Sequence, residues 1–201
     1  MLLLLLLLVV AASSSSSASS ASNTGSASVY KIKSLNKDTD GNILELKEHM
    51  RVSLRAVCDA PAGTALLQSR FEVPQLMLDD LRRGGTYDST IVAFSTFLPD
   101  VLFIERDPMA PNNPNKRVIV VVDAKASAKV AISHKIQATF YAMVLEYVIQ
   151  DLNLHSTLRV AENAGIWRPE TCAPETFSVR HVEPQLLRFL RHDMCTILNQ
   201  S

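Results

Sequence analysis

Two carboxylates, an ammonium and an amide are spaced along this chain so that folding can gather them at one point. Pro99-Asp100 opens a short apolar run. Asp123 and Lys125 close a second run that reads Arg-Val-Ile-Val-Val-Val-Asp-Ala-Lys, and Gln137 and Tyr141 follow at helical spacing. The second run is apolar and β-branched, which predicts a buried strand over residues 117–125. Side chains two apart on a strand leave the same face, so Asp123 and Lys125 project together. Residues 100–105 predict another strand. Between them lies Asp107-Pro-Met-Ala-Pro-Asn-Asn-Pro-Asn115, dense in turn formers and free of apolar periodicity. An antiparallel hairpin whose loop is centred between Pro111 and Asn112 sets Asp100 opposite Asp123, about 5 Å away on one face. A slip of one residue would send the side chains of one strand to the other face. Two carboxylates that close repel unless a cation lies between them. A hard, oxygen-seeking divalent ion fits, so the hairpin predicts a magnesium or manganese site on Asp100 and Asp123.

The next element should complete this cluster. Residues 132–149 carry apolar side chains at 132, 136, 140, 144 and 148, one stripe of a helix. Ser133, Gln137 and Tyr141 form the adjacent stripe at i, i+4 spacing. Gln137 and Tyr141 are expected to look back at the carboxylates while the aliphatic stripe packs on a sheet. His134 and Lys135 project elsewhere, towards a polyanion. Each residue also has a plainer reading: Tyr141 as a core residue, Gln137 as a surface amide, Asp123 and Lys125 as a solvated strand end.

The order Pro-Asp, Asp-x-Lys, Gln-x-x-x-Tyr resembles the PD-(D/E)XK nucleases, in particular the RecB-like branch with its Gln-x-x-x-Tyr helix. The wording Val-Val-Asp-Ala-Lys-Ala-Ser127 and His134-Lys-Ile-Gln-Ala-Thr-Phe-Tyr-Ala142 is similar to RecB-family nucleases found beside helicase modules, and the resemblance runs through Ala-Gly-Ile-Trp-Arg168 over roughly residues 90–198. It implies a restriction-endonuclease-like α/β fold, a mixed sheet flanked by helices. It implies that Asp100 and Asp123 bind the metal with the backbone carbonyl of Ala124. Lys125 would orient the attacking water or stabilise charge, and Gln137 would position Lys125 and the nucleic acid. Tyr141, His134, Lys135 and Lys129 become candidate nucleic-acid contacts. The implied partner is DNA, single-stranded or unwound, in repair or processing alongside a helicase. Many relatives add an acidic or His ligand from a helix before the first Asp. Glu72 is the best-placed acidic candidate here, followed by Asp79 and Asp80. Others hold an iron–sulfur cluster on four cysteines; Cys58, Cys172 and Cys195 contain no Cys-x-x-Cys pair, so no cluster is expected.

Phosphodiester cleavage explains these residue types. It needs a nucleophilic water, an electrophilic phosphorus and cover for developing negative charge, which a carboxylate-held divalent metal and a nearby ammonium supply. A catalytically silent relative that binds nucleic acid or a protein is the alternative, and an unrelated α/β domain with a coincidental motif is a third reading.

Composition bounds the rest. The chain has 201 residues with Lys+Arg 20 and Asp+Glu 20, a formal net charge of zero, so bulk charge does not advertise nucleic-acid binding. A local basic rim of Lys125, Lys129, His134, Lys135 and Arg168 would serve instead. One domain is expected over residues 29–201. Residues 1–28 are set apart: Met1 is followed by seven leucines, two valines and two alanines, then a Ser/Ala-rich run. The apolar run is shorter than the roughly 20 residues that span a bilayer. It matches the apolar region of a secretory signal without the basic start, and the Ser-rich run is expected to be disordered. No stable membrane insertion is expected. Residues 29–60 read as a weak strand pair around the turn at 38–41, residues 71–83 as a helix starting near Pro74, and residues 90–97 and 158–166 as strands. Residues 183–198 read as an amphipathic helix. This order predicts an α/β sandwich with a mixed sheet.

Overall fold

In a computed structural model, which describes residues 30–84 and 94–194, seven strands form one mixed sheet. They are β1 (Lys31–Ser34), β2 (Thr64–Leu67), β3 (Val101–Arg106), β4 (Arg117–Ala124), β5 (Leu158–Val160), β6 (Asn163–Trp167) and β7 (Glu175–Ser178). The helices are α1 (Leu46–Asp59), α2 (Gln75–Gly84), α3 (Ile132–Asp151) and α4 (Val179–Arg188), the last running on through a π turn at Phe189–Asp193. The sheet order is β1-β2-β3-β4-β6-β7, with β5 also on β4. β3 runs antiparallel to both β2 and β4, β1 runs parallel to β2, and β7 runs antiparallel to β6. Helix α3 then carries the chain to β5 and β6, which both run parallel to β4. The expected α/β class and mixed sheet are both present.

The β3–β4 hairpin has the register expected from its loop. Val101 pairs with Val122 and Arg106 with Arg117. Its closed end is pinned by Asp107, which is fully buried. The Asp107 N–H donates to the Lys116 carbonyl at 3.0 Å. Its carboxylate receives Arg159 from β5 through two bonds, at 2.6 and 2.9 Å, and the Met109 N–H at 2.9 Å. A bidentate guanidinium is the strong form of such a bond, and the Arg159 guanidinium holds the Asp107 carboxyl below its usual range.

Alternation sorts the sheet residues between two faces. Leu102, Ile104, Ile119, Val121 and Ile166 pack with Ala56 and Val57 of α1 and with α3 in the larger core. Ala65, Leu67, Val101, Val122 and Trp167 pack on the other face with Tyr30 and Phe103. Asp123, two residues past Val121, therefore faces the α3 side. On the opposite face Gly165 lies under Pro174. A Cβ there would sit 2.8 Å from the Pro174 Cβ and 3.2 Å from a Val122 methyl.

Several expectations change. The weak strand pair over residues 29–60 is instead a short edge strand, β1, followed by the 14-residue helix α1. The inner face of α1 is His49, Ser53, Ala56 and Val57. Two of those four are polar, so the helical period is hidden from a reading of apolar residues alone. The single strand expected over residues 158–166 is two strands in one lane: β5 pairs with Arg117–Ile119 and β6 with Val122–Ala124. Strands β2 and β7 were not foreseen. Of the strand expected over residues 90–97, residues 90–93 lie outside the described residues, and only Phe97 pairs, in an isolated bridge to Phe71. The C-terminal helix starts earlier than expected, at Val179; Leu198 lies outside the described residues, as do residues 1–28.

The apolar stripe of α3 is also revised. Ile132 and Ile136 are 67% and 40% exposed, and the buried side chains are Ala138, Thr139, Tyr141–Leu145, Val148 and Ile149. From Ala138 onward α3 packs against the sheet, α2 and α4. A helix enclosed on several sides is apolar on several sides, and its sequence does not mark one stripe.

Because Pro174 closes over Gly165, Gly165→Ala should destabilise the fold by about 1–3 kcal/mol through overpacking. A lower urea midpoint at unchanged slope is the expected result.

Candidate functional site

The site lies where β3 begins and β4 ends. Asp100 precedes the first paired residue of β3, and the register that joins Val101 to Val122 brings it level with Asp123. One Asp100 carboxylate oxygen, Oδ2, accepts the Ala124 N–H at 2.9 Å, and its main-chain oxygen accepts the Gln68 N–H at 2.9 Å. Lys125 leaves the strand just beyond, its own N–H donated to the Trp167 carbonyl at 2.8 Å. Strand β6 thus supports the end of β4 from the side opposite β3.

Side chains converge from there. Lys125 Nζ lies 2.6 Å from Asp123 Oδ2 and donates to Gln137 Oε1 at 2.9 Å. An ammonium only donates, so Gln137 must turn its oxygen to Lys125 and its nitrogen away. That nitrogen donates to the Tyr141 hydroxyl at 2.6 Å. The expected grouping of Asp100, Asp123, Lys125, Gln137 and Tyr141 is present as one connected set. Tyr141 is buried and stacks on Phe97, which stacks in turn on Phe71. Burial pushes the Tyr141 phenol above its ordinary pKa.

Asp123 is the electrostatic centre. It is 1% exposed, and despite the short ion pair neither of its oxygens has a donor in hydrogen-bond geometry. The Lys125 ammonium, 2.6 Å from Oδ2, is its cationic partner. Burial is the main reason the Asp123 pKa rises from 3.8 to about 6; Lys125 pulls it down and Asp100 pushes it up. A buried carboxylate facing a second carboxylate is a donor set that suits a hard divalent cation. Among the described residues no group of three or more His, Cys, Asp or Glu is placed to hold a metal ion. The set is two carboxylates. Magnesium is often held by one or two carboxylates with waters and substrate phosphates completing its shell, so the residues present fit it.

The remaining expected residues lie further out. Glu72 is exposed on the segment before α2. Asp79 pairs with Arg82 and Asp80 with Arg191, and Asp80 also accepts from Tyr147. His134 is a helix cap: its Nδ1 accepts the Ala131 N–H at 3.1 Å. Lys135 lies 3.7 Å from Glu175 and over the Phe177 ring. Lys129 is exposed. Arg168 donates to the Ala128 carbonyl and lies 3.7 Å from Glu170. Cys58 is half-buried and Cys172 exposed, each a free thiol; Cys195 lies outside the described residues. Among the described residues no helix is long and apolar enough to cross a membrane.

The sequence reading missed the Gln68 N–H that holds Asp100. Its position after an unforeseen strand hid it; the run Thr64-Ala-Leu-Leu67 was the available signal. Comparison with known proteins returns no match: no family model, no curated protein and no solved structure matches this chain.

The raised Asp123 pKa fixes a sign. A carboxyl whose folded pKa exceeds its unfolded value stabilises the fold below pH 3.8 and loses that contribution as pH rises through about 6. Asp123→Asn should therefore match the parent near pH 4 without metal and exceed it at pH 8 by roughly 1–3 kcal/mol. Urea melts at both pH values, in chelator, measure the gap.

Proposed function

We propose that this chain is a metal-dependent nuclease that hydrolyses DNA phosphodiester bonds, with a restriction-endonuclease-like core of the RecB-like PD-(D/E)XK kind. The supporting observation is the convergence of Asp100, Asp123, Lys125 and Gln137 at one end of the β3–β4 hairpin, with Asp123 buried against the Lys125 ammonium. The three-strand meander, the helix α3 and the parallel return to β6 agree with a mixed sheet flanked by helices.

Asp100 and Asp123, with the Ala124 carbonyl, would hold magnesium or manganese. Bound there, the ion supplies Lewis acidity and neutralises charge on the scissile phosphate. The chain's own groups do the rest. Lys125 presents its ammonium to the phosphoryl oxygens, where negative charge develops. Gln137 fixes the direction of that ammonium, since its oxygen accepts from Nζ. Tyr141 holds the far end of the Gln137 amide, so the Lys125 head is oriented before substrate arrives. DNA that is single-stranded or unwound, delivered by a helicase in repair or processing, is the proposed substrate.

A second reading is favoured by one observation, the lack among the described residues of a third acidic or His partner for the two carboxylates. On that reading the fold binds nucleic acid or a protein without cutting. Labelled single- and double-stranded DNA titrated with magnesium or manganese separates the two. Cleavage that depends on the ion supports the nuclease; binding without cleavage at every ion concentration supports the silent module.

Asp123→Asn should abolish cleavage and leave folding intact, because it removes the charge and keeps the buried volume. Activity equal to the parent in that variant would remove Asp123 from the mechanism. Gln137→Ala should lower kcat by about 10- to 100-fold, a loss of orientation and not of the charge itself.

A further inference from the structure

Helix α1 turns an unusual face inward. His49 and Ser53, one turn apart, are buried where an amphipathic helix ordinarily places aliphatic side chains. Both are used on the segment that follows β2. His49 Nε2 lies 2.7 Å from the Gln68 carbonyl oxygen. A carbonyl only accepts, so Nε2 carries the proton and donates. Ser53 Oγ donates to the His49 carbonyl at 2.8 Å and accepts the Arg70 N–H at 2.9 Å. Gln68 itself has φ +54°, the left-handed region that costs a residue with a side chain and persists where surroundings enforce it. It is gripped on both sides. Its carbonyl is held by His49, and its N–H is held by the Asp100 main-chain oxygen.

We propose that His49 is a positioning residue for the Asp100 carboxylate, acting through Gln68; the proposal rests on the nuclease reading. Asp100 has two ties, the Gln68 N–H on its main chain and the Ala124 N–H on its side chain. The His49 bond keeps Gln68 in a conformation it would otherwise leave. Losing it frees one of the two ties, and Asp100 swings from its place opposite Asp123. Among the described residues the site has two carboxylates, so the placement of each counts heavily. His49 stands behind the metal-binding pair and does not join it: its Nε2 is committed to Gln68, and no third His, Cys, Asp or Glu completes a cluster among the described residues. Groups bonded directly to metal ligands typically set affinity by about 10- to 100-fold, and His49, one residue further out, is placed at the lower end of that range.

Calorimetric titration of manganese into the full chain is the test, with Asp123→Asn as the control for binding at the site. His49→Leu should bind manganese about 10-fold more weakly. His49→Gln, whose amide nitrogen reaches the position of Nε2, should bind as the parent does. His49→Asn, one carbon too short, should resemble the leucine variant; this Gln and Asn pair carries the test if leucine does not fold. Ser53→Ala loosens the same loop at Arg70 and spares the Gln68 bond, so it should lower the melting temperature without weakening manganese binding. Parent-like affinity in His49→Leu and His49→Asn overturns the positioning role, as does equal weakening in Ser53→Ala, while manganese binding lost in Asp123→Asn leaves the nuclease reading standing. Absence of manganese binding by the parent overturns both.

Discussion

The structure turns on the burial of one charge. Asp123 is carried by a strand whose other inward residues are Ile119 and Val121, on the face that α3 covers. An apolar side chain there would complete the core at no electrostatic cost. A carboxylate at that position has its pKa raised by burial, draws Lys125 in to 2.6 Å, and confronts Asp100 across the hairpin. Isolated buried charge is tolerated where something compensates it. Lys125 compensates part, and a divalent ion would compensate the rest. The surrounding arrangement follows from that tension: Gln137 restrains the ammonium, Tyr141 restrains Gln137, and the Phe97 and Phe71 rings pack behind Tyr141.

Much of the site was legible because its geometry is local. The hairpin loop is bounded by turn formers, so its centre could be read, and the centre fixes which residues face each other. The Gln137 and Tyr141 pair is fixed by helical repeat alone. What escaped depends on contacts distant in sequence. His49 and Ser53 look like surface residues of an indifferent segment until the chain brings Gln68 and Arg70 against them. Ile132 and Ile136 look like core and are exposed, because a repeat of apolar residues does not reveal where the covering layer ends. Likewise residues 158–166 carry a continuous strand signal, while the offset at Ala161 and Glu162 is set by where β4 offers its partners.

Three of the expected basic residues are already engaged elsewhere in the fold. His134 caps its own helix, Lys135 sits between Glu175 and Phe177, and Arg168 is bonded to the Ala128 carbonyl. These groups arrive prearranged, with their entropy of ordering already spent in the fold.

At the opposite end of the hairpin, Asp107 and Arg159 reach further than their own bond. A ladder of paired residues behaves as a rigid rack, and any tooth can set the position of every other. Anchoring Arg159 from β5 against the closed loop opposes sliding of the two strands, so the register that levels Asp100 with Asp123 is held also at a point remote from both. The side chains gathered at one end of the hairpin are therefore kept in alignment by a clasp at the other.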